Sequence, residues 1–96
     1  MDIRIQAIHF DAAEKLEGFI AKKAERLARR FPDITVFDVT LKVVKPETAM
    51  NKQAVVKVAV PQQPDRVADK TADTFEEAVD QAIEAIEHQL ARTKDR

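Results

Sequence analysis

The sequence has 96 residues, of which 45% are hydrophobic and 34% are charged, with one glycine and no cysteine. This length suits one domain with a modest core, so we expect a single domain over residues 1–96. The absence of cysteine excludes a disulfide framework, a thiol nucleophile and a cysteine metal site. No apolar run approaches the ~20 residues of a membrane span and the N-terminus lacks a signal-peptide pattern, so we expect a cytoplasmic protein without a membrane partner.

The net charge of −1 hides a segregation of charge along the chain. Residues 20–31 carry five cations and one anion, whereas residues 65–90 carry two cations and eight anions. Residues 91–96 return to a net charge of +2. Because the local field decides what a surface attracts, the chain can present separate basic and acidic surfaces.

The first two elements are a strand and a helix. Residues 2–8 alternate between apolar and polar types, which is the pattern of a strand buried on one face. A helix follows, which Asp11 can cap and whose apolar residues recur every three or four positions up to Arg30. Gly18 costs this helix ~1 kcal/mol relative to alanine, either because backbones approach closely there or because the cost is tolerated. Pro32 disfavours helical geometry in the residue before it and so ends the helix.

Three further strands are predicted after the helix. The clearest alternation in the chain covers Thr35–Lys45, which indicates a strand with one buried and one wet face. Lys45–Lys52 reads as a loop between antiparallel strands, and Gln53–Val60 alternates again. Pro61–Pro64 removes two backbone donors and predicts a turn. A last short strand is expected within Arg66–Thr71.

The last strand and the last helix differ in how clearly they are specified. Neither alternate set of the strand is clearly apolar, and we expect the set containing Arg66 and Lys70 to face outward, away from the helices. Thr74 and Glu77 match a capping box, and the helix that follows is predicted to run to about Arg92.

The predicted order is therefore β-α-β-β-β-α. A strand–helix–strand start favours parallel pairing of the first two strands, and the short connections that follow favour an antiparallel meander. We expect an α+β fold with a four-stranded mixed sheet and both helices packed on one face of it.

Enzymatic function is not expected from these residues. The chain has no Ser, Cys, Tyr or Trp, two histidines and a single glycine, so we predict no catalytic residue, no metal site, no cofactor and no small-molecule substrate. An acidic set shares one face of the second helix: Asp73, Glu76, Asp80 and Glu84. Its simplest interpretation is a solvated surface. The alternative function that it suggests is a protein-interaction module that docks a basic partner.

The basic residues favour nucleic-acid binding. Lys22, Arg26 and Arg29 project from one side of the first helix, flanked by Lys23 and Arg30, although such a row alone is more simply a solvated face. Further cations are expected on the open sheet face and at the end of the second helix: Arg4, Lys42 and Lys57, possibly with Arg66 and Lys70, and then Arg92, Lys94 and Arg96. Cations distributed in this way fit phosphate contacts along a folded nucleic acid.

Three stretches, in their order and spacing, resemble one known family. They are FIAKKAERLARRF at 19–31, DVTLKVVKPET at 38–48 and DTFEEAVDQAIEAIEHQLARTK at 73–94. Together they are similar to the ribosome hibernation promoting factors and ribosome-associated translation inhibitors, the sigma-54 modulation protein family. The chain ends at Arg96, without the extra C-terminal domain of the long forms, so it resembles the short form.

The resemblance implies a fold like a double-stranded-RNA-binding domain with an added strand. It also implies binding in the small-subunit channel of an idle ribosome, against ribosomal RNA and ribosomal proteins, where it blocks the mRNA and tRNA sites in stress or stationary phase. The basic positions of the family correspond to Lys23, Arg26, Lys42, Lys45, Arg92, Lys94 and Arg96. With Lys22, Arg29 and Arg30 from the charge pattern, they form the predicted rRNA-binding set. His88 and Glu76 depart from the family pattern, which often has Arg and Tyr there.

Overall fold

The predicted element order is confirmed by a computed structural model of the chain, which describes residues 1–45 and 49–94. The elements are β1 (Asp2–Ala7), α1 (Glu14–Arg30), β2 (Val36–Val43), β3 (Lys52–Ala59), β4 (Arg66–Ala72) and α2 (Phe75–Lys94). The middle of the predicted loop between the second and third strands, residues 46–48, lies outside the described residues.

The four strands form one mixed sheet in the order β1-β2-β3-β4. β1 pairs parallel to β2, while β2 with β3 and β3 with β4 pair antiparallel, as predicted. β1, β2 and β4 therefore point the same way, and each helix starts at the end of the sheet where β1 or β4 finishes. As a consequence α1 and α2 run parallel to each other across the same face.

The core lies between the helices and this one face of the sheet. Apolar residues at three- and four-residue spacing turn one stripe of each helix inward, and alternate strand residues meet them. Phe37, the second residue of β2, is the largest fully buried side chain. The buried core consists of Leu16, Ile20, Ala24, Leu27, Ile34, Phe37, Val39, Leu41, Ala54, Val56, Val58, Ala68, Ala72, Ala78, Val79, Ala82, Ile83, Ile86 and Leu90.

The start of α1 differs from the sequence-based prediction. The N-cap position is Ala13, which has an extended backbone and makes no side-chain capping bond, so the prediction that Asp11 caps α1 is wrong. Asp11 is separated from the first turn by two further non-helical residues, which leaves it outside the capping position. The loop is held instead by Phe10, whose ring stacks on that of Phe75 with the centroids 5.1 Å apart.

The start of α2 shows one of the two bonds of the predicted capping box. The backbone N–H of Glu77 donates a hydrogen bond to Thr74 Oγ1 at 3.1 Å, which is the cap that the sequence indicates. The Glu77 carboxylate accepts a bond from Gln81 Nε2 at 3.4 Å, one turn further along the helix. α2 continues to Lys94, two residues beyond the predicted end.

The prediction that the Arg66 and Lys70 side of β4 faces away from the helices is wrong. Val56 pairs with Ala68 and Ala54 with Lys70, and paired residues share a face, so Arg66, Ala68 and Lys70 lie on the helix side. Ala68 is small enough to pack beneath α2. Arg66 and Lys70 are tolerated on the same side because β4 is an edge strand, so their charged ends can reach solvent around the edge of the sheet. α2 also contacts this edge strand directly, because Gln89 Nε2 donates a hydrogen bond to the carbonyl oxygen of Val67 at 3.1 Å.

Gly18 is expected to be a position where the helix can be stabilised. A Cβ atom built there would meet no heavy atom within 4 Å, so no close approach requires glycine and its cost is simply tolerated. Gly18→Ala should raise the free energy of unfolding by about 0.5–1 kcal/mol, measured by urea unfolding. Glu25→Gly, at another exposed position of α1, should lower it by a similar amount. A Gly18→Ala variant that is less stable than the wild type would contradict this assignment.

Candidate nucleic-acid interface

The solvent side of α1 carries three exposed cations, Lys22, Arg26 and Arg29, here called the outer row. They follow one another at four- and three-residue spacing, so they project from one side of the helix. All three line a shallow concavity that also includes Phe19, Lys23 and Glu25. Within residues 1–45 and 49–94, none of them forms an ion pair. Their charges are therefore available to an anionic ligand.

Two other cations of α1, Lys23 and Arg30, turn toward α2 and are here called the inner row. Lys23 Nζ lies 2.9 Å from Asp80 Oδ1, and Arg30 Nη1 donates to Glu87 Oε2 at 2.7 Å. The Lys23 side chain is only 27% exposed, whereas that of Arg30 is 64% exposed. The structure thus places both residues next to the predicted outer cations but neutralises their charges within the protein.

Each cation of the inner row also contacts an aromatic ring. Lys23 Nζ lies 5.5 Å from the centre of the Phe19 ring, and the Arg30 guanidinium lies 5.6 Å from that of Phe31. These distances are in the range in which a ring face attracts a cation. Each inner cation is therefore fixed between an aromatic ring and a carboxylate.

The two ion pairs form a regular seam between the helices. Lys23 and Arg30 are seven residues apart, and so are Asp80 and Glu87. Seven residues are about two helical turns, so each set stays on one side of its helix, and parallel helices keep the two sets in register. Sequence reasoning missed this seam. The equal spacing was visible in the sequence, but it has this meaning only when the helices are known to run parallel.

The C-terminal cations of the two helices lie at the same end of the molecule. Arg92 is exposed in the last turns of α2, and the parallel helices place that end beside the end of α1, where Arg29 and Arg30 lie. The predicted cations Lys94 and Arg96 add nothing to this description, because the Lys94 side chain and all of Arg96 are outside the described residues.

The remaining predicted cations lie elsewhere. Lys42 is exposed on the sheet face opposite the helices, and Lys45 follows β2 in the connection to β3, with a φ of 49°. The C-terminal end of β2 is the opposite end of the sheet from the last turn of α1. The structure thus brings the α1 cations together with Arg92 and separates them from Lys42 and Lys45.

The open face of the sheet has a mixed charge. Register places Arg4, Asp38 and Lys57 side by side across three strands, and Lys42 shares their face, as predicted. Acidic groups accompany these cations, since Arg4 Nε lies 2.9 Å from Asp2 Oδ2 and Lys57 Nζ lies 3.7 Å from Asp65 Oδ2. The prediction that Arg66 and Lys70 could join this face is wrong, because both lie on the helix side of the sheet. The sheet is therefore less basic than α1.

Other kinds of site have little support in the described part of the chain. No three His, Asp or Glu side chains there are grouped so that they could hold a metal ion. His88 and Glu76, where the sequence departs from the family pattern, are both exposed on α2. Among the described helices, none combines the length and the hydropathy that a membrane-spanning helix needs.

Known proteins share both the sequence pattern and the fold. Residues 3–96 match the model of the family described as sigma-54 modulation protein / S30EA ribosomal protein. A ribosomal subunit interface protein from Coxiella burnetii superposes with a TM-score of 0.87 at 21% identity, with all of both chains covered. The N-terminal domain of Protein Y from Thermus thermophilus gives 0.80 at 19% identity, covering 97% of this chain and 99% of that one. No curated protein sequence matches significantly.

These comparisons agree with the resemblance noted in the sequence. The two solved structures establish the fold, and the family model covers all but the first two residues. The chain belongs to the sigma-54 modulation protein / S30EA ribosomal protein family.

Proposed function

We propose that this chain is a ribosome hibernation factor that acts as a single binding domain on the small ribosomal subunit. In this proposal it lodges in the subunit channel through rRNA phosphates, blocks the mRNA and tRNA sites, and inhibits translation in stress or stationary phase in the cytoplasm. Family membership supports association with the ribosome. The observation that carries the RNA contact is the outer row, three exposed cations without an acidic partner in the described structure.

The proposed mechanism is electrostatic attachment followed by steric exclusion. The outer row extends for about 10 Å along the axis of α1, given a rise of about 1.5 Å per residue. That length is comparable to a few successive phosphates of one RNA strand. Arg92 continues the basic surface at the end of α2. No bond of the RNA needs to be made or broken, because an occupied channel already excludes mRNA and tRNA.

The separated cations fit the same proposal. A protein inside a channel is surrounded, so contacts on opposite faces and ends are expected of it. We assign Lys42 and Lys45 to a second group of rRNA contacts, and Lys94 and Arg96 to the group around Arg92. The molecule is elongated, 44 Å by 23 Å by 18 Å, and could reach both walls of a channel at once. Ribosomal proteins can contribute to either wall.

The alternative function, a module that docks a basic protein through acidic α2, has weaker support. Asp80 is already paired with Lys23, and Glu87 with Arg30. Of the acids predicted to form the docking surface on α2, Glu76 and Glu84 are exposed and form no ion pair in the described structure. This alternative predicts that reversing the charges of Glu76, Asp80 and Glu84 abolishes partner binding and that RNA has no effect on it.

Sedimentation with ribosomes tests the proposal. The protein should migrate with vacant ribosomes, and with isolated small subunits, through a sucrose gradient at low salt. About six phosphate contacts should give a slope of roughly −4 to −5 for log affinity against log salt. A protein that stays at the top of the gradient, or that migrates with large subunits alone, would contradict the proposal. A shift of the ribosomes to a heavier peak would add ribosome pairing to the role.

Competition with mRNA tests the steric step separately. Small subunits that are preloaded with mRNA and tRNA should bind much less protein than vacant ones. Equal binding to the two would place the protein outside the channel and remove the proposed inhibitory mechanism.

A further inference from the structure

We infer that Asp80 and Glu87 are specificity-determining residues, which withhold Lys23 and Arg30 from phosphates so that RNA can lie only along the outer row of α1. This inference rests on the proposed function, because it concerns how the same helix selects its RNA. According to this inference, the acidic residues of α2 prevent RNA from binding in other positions and do not themselves dock a partner.

The groove between the two helices carries the argument. Its walls include both inner cations and Arg26 on one side, and Asp80, Glu84 and Glu87 on the other. Two of these carboxylates are in direct contact with the inner row, at 2.9 Å and 2.7 Å. The Asp80 side chain is 56% exposed, so its charge also faces solvent above the groove.

The direction from which a phosphate approaches decides what it meets. From the outer side of α1 it meets the three unpaired cations of the outer row, with the single carboxylate of Glu25 in the same concavity. From the groove it meets Lys23 and Arg30, which are already neutralised, and it meets the carboxylates of Asp80, Glu84 and Glu87 in the wall opposite these cations and Arg26. A phosphate that displaced Asp80 or Glu87 would leave that carboxylate unpaired next to it, and such like-charge juxtaposition disfavours binding. RNA is therefore directed to one side of the helix.

This restriction matters because cation–phosphate attraction is not selective by itself. A helix that offered all five cations around its exposed surface could bind many RNAs in many orientations. Because two carboxylates on α2 neutralise the inner row, the outer row is the part of the α1 surface that still attracts phosphates. The remaining contacts then form together only on an RNA whose shape presents phosphates along that row.

The test compares two double variants with the same change in net charge. Asp80→Asn with Glu87→Gln frees the inner row while keeping side-chain shape, and Glu76→Gln with Glu77→Gln is the matched control on the same helix. The probes are an RNA duplex of arbitrary sequence and vacant small subunits, each titrated over a range of salt. Thermal unfolding of both variants verifies that they are folded.

The Asp80→Asn, Glu87→Gln variant is here called the seam variant. We expect it to bind the arbitrary duplex roughly tenfold more tightly near 0.1 M salt. The slope of log affinity against log salt should be steeper by about 1 to 2, because up to two phosphate contacts are gained. Its affinity for small subunits should change by less than about threefold. The control should change neither probe appreciably. If the two variants change duplex binding equally, net charge explains the effect and the inference fails. If the seam variant is only less stable, the pairs merely hold the helices together and the inference also fails.

The reciprocal variant, Lys23→Gln with Arg30→Gln, supplies an independent check. If the inner row is withheld from RNA, this variant should keep its small-subunit affinity within about threefold. A tenfold or larger loss would mean that these cations contact rRNA, and it would overturn the inference while the proposed function stands. Failure of the wild-type protein to bind small subunits would instead refute the proposed function, and the duplex titrations would still decide whether the seam masks cations.

Discussion

Replacing Phe37 with alanine is expected to lower the free energy of unfolding by about 3–5 kcal/mol. Phe37, the second residue of β2, is fully buried and pairs with Ile3 of β1 and Val58 of β3. Truncation removes the ring from the core and leaves a cavity that the sheet cannot collapse to fill. Because a small domain has a total stability of about 5–15 kcal/mol, the variant should lose a large fraction of its stability and unfold at a distinctly lower urea concentration.

Urea unfolding followed by circular dichroism would measure this loss. Phe37→Leu keeps an apolar side chain of substantial volume and should cost distinctly less. Val67→Ala is a second control, because Val67 is 50% exposed on β4 and its truncation should change stability by no more than about 0.5 kcal/mol. A Phe37→Ala variant as stable as the Val67→Ala variant would show that the core is not organised around β2.

Neutralising the outer row is expected to weaken binding to small ribosomal subunits by a hundredfold or more near 0.1 M salt. The variant carries Lys22→Gln, Arg26→Gln and Arg29→Gln. Each lost phosphate contact removes the release of about 0.7–0.9 of a counterion, so the salt slope should become shallower by about 2 to 3. The three side chains are exposed and form no ion pair in the described structure, so folding should be little affected.

The matched control neutralises three cations that lie outside the proposed contacts. Arg4→Gln, Lys57→Gln and Lys70→Gln change the net charge by the same amount, and all three positions are exposed. We expect this control to bind nearly as well as the wild type, with a salt slope within about 1 of it. Equal losses in the two triple variants would mean that net charge, and not the outer row, governs attachment.

Most of the fold could be predicted because the hydrophobic period was clear. Buried residues recur at every second position along β2 and β3, and both helices have apolar stripes at helical spacing, so element order and sheet topology followed. β4 was the exception. Its helix-facing set includes Arg66 and Lys70, which an edge strand tolerates because their charged ends reach solvent around it. Composition alone does not reveal which strand will be an edge, and so the facing of β4 could not be read from the sequence.

The candidate site was less predictable than the fold. Helical spacing correctly placed Lys22, Arg26 and Arg29 on one side of α1, because that depends on a single element. It did not reveal that Lys23 meets Asp80, since this contact depends on the direction and register of two helices packed on the sheet. The Asp11 cap failed for a related reason, because where α1 starts depends on its loop and not on the nearest capping residue.

The hydrogen bond from Gln89 to the Val67 carbonyl has a consequence for the behaviour of the protein at high concentration. An uncovered sheet edge is a template on which another chain can add a strand, and this can lead to aggregation. Here α2 occupies one acceptor of β4, and Arg66, Asp69 and Lys70 place charges of both signs along the same strand. An incoming strand would have to displace Gln89 and desolvate those charges. Both features disfavour self-association of the folded protein through β4.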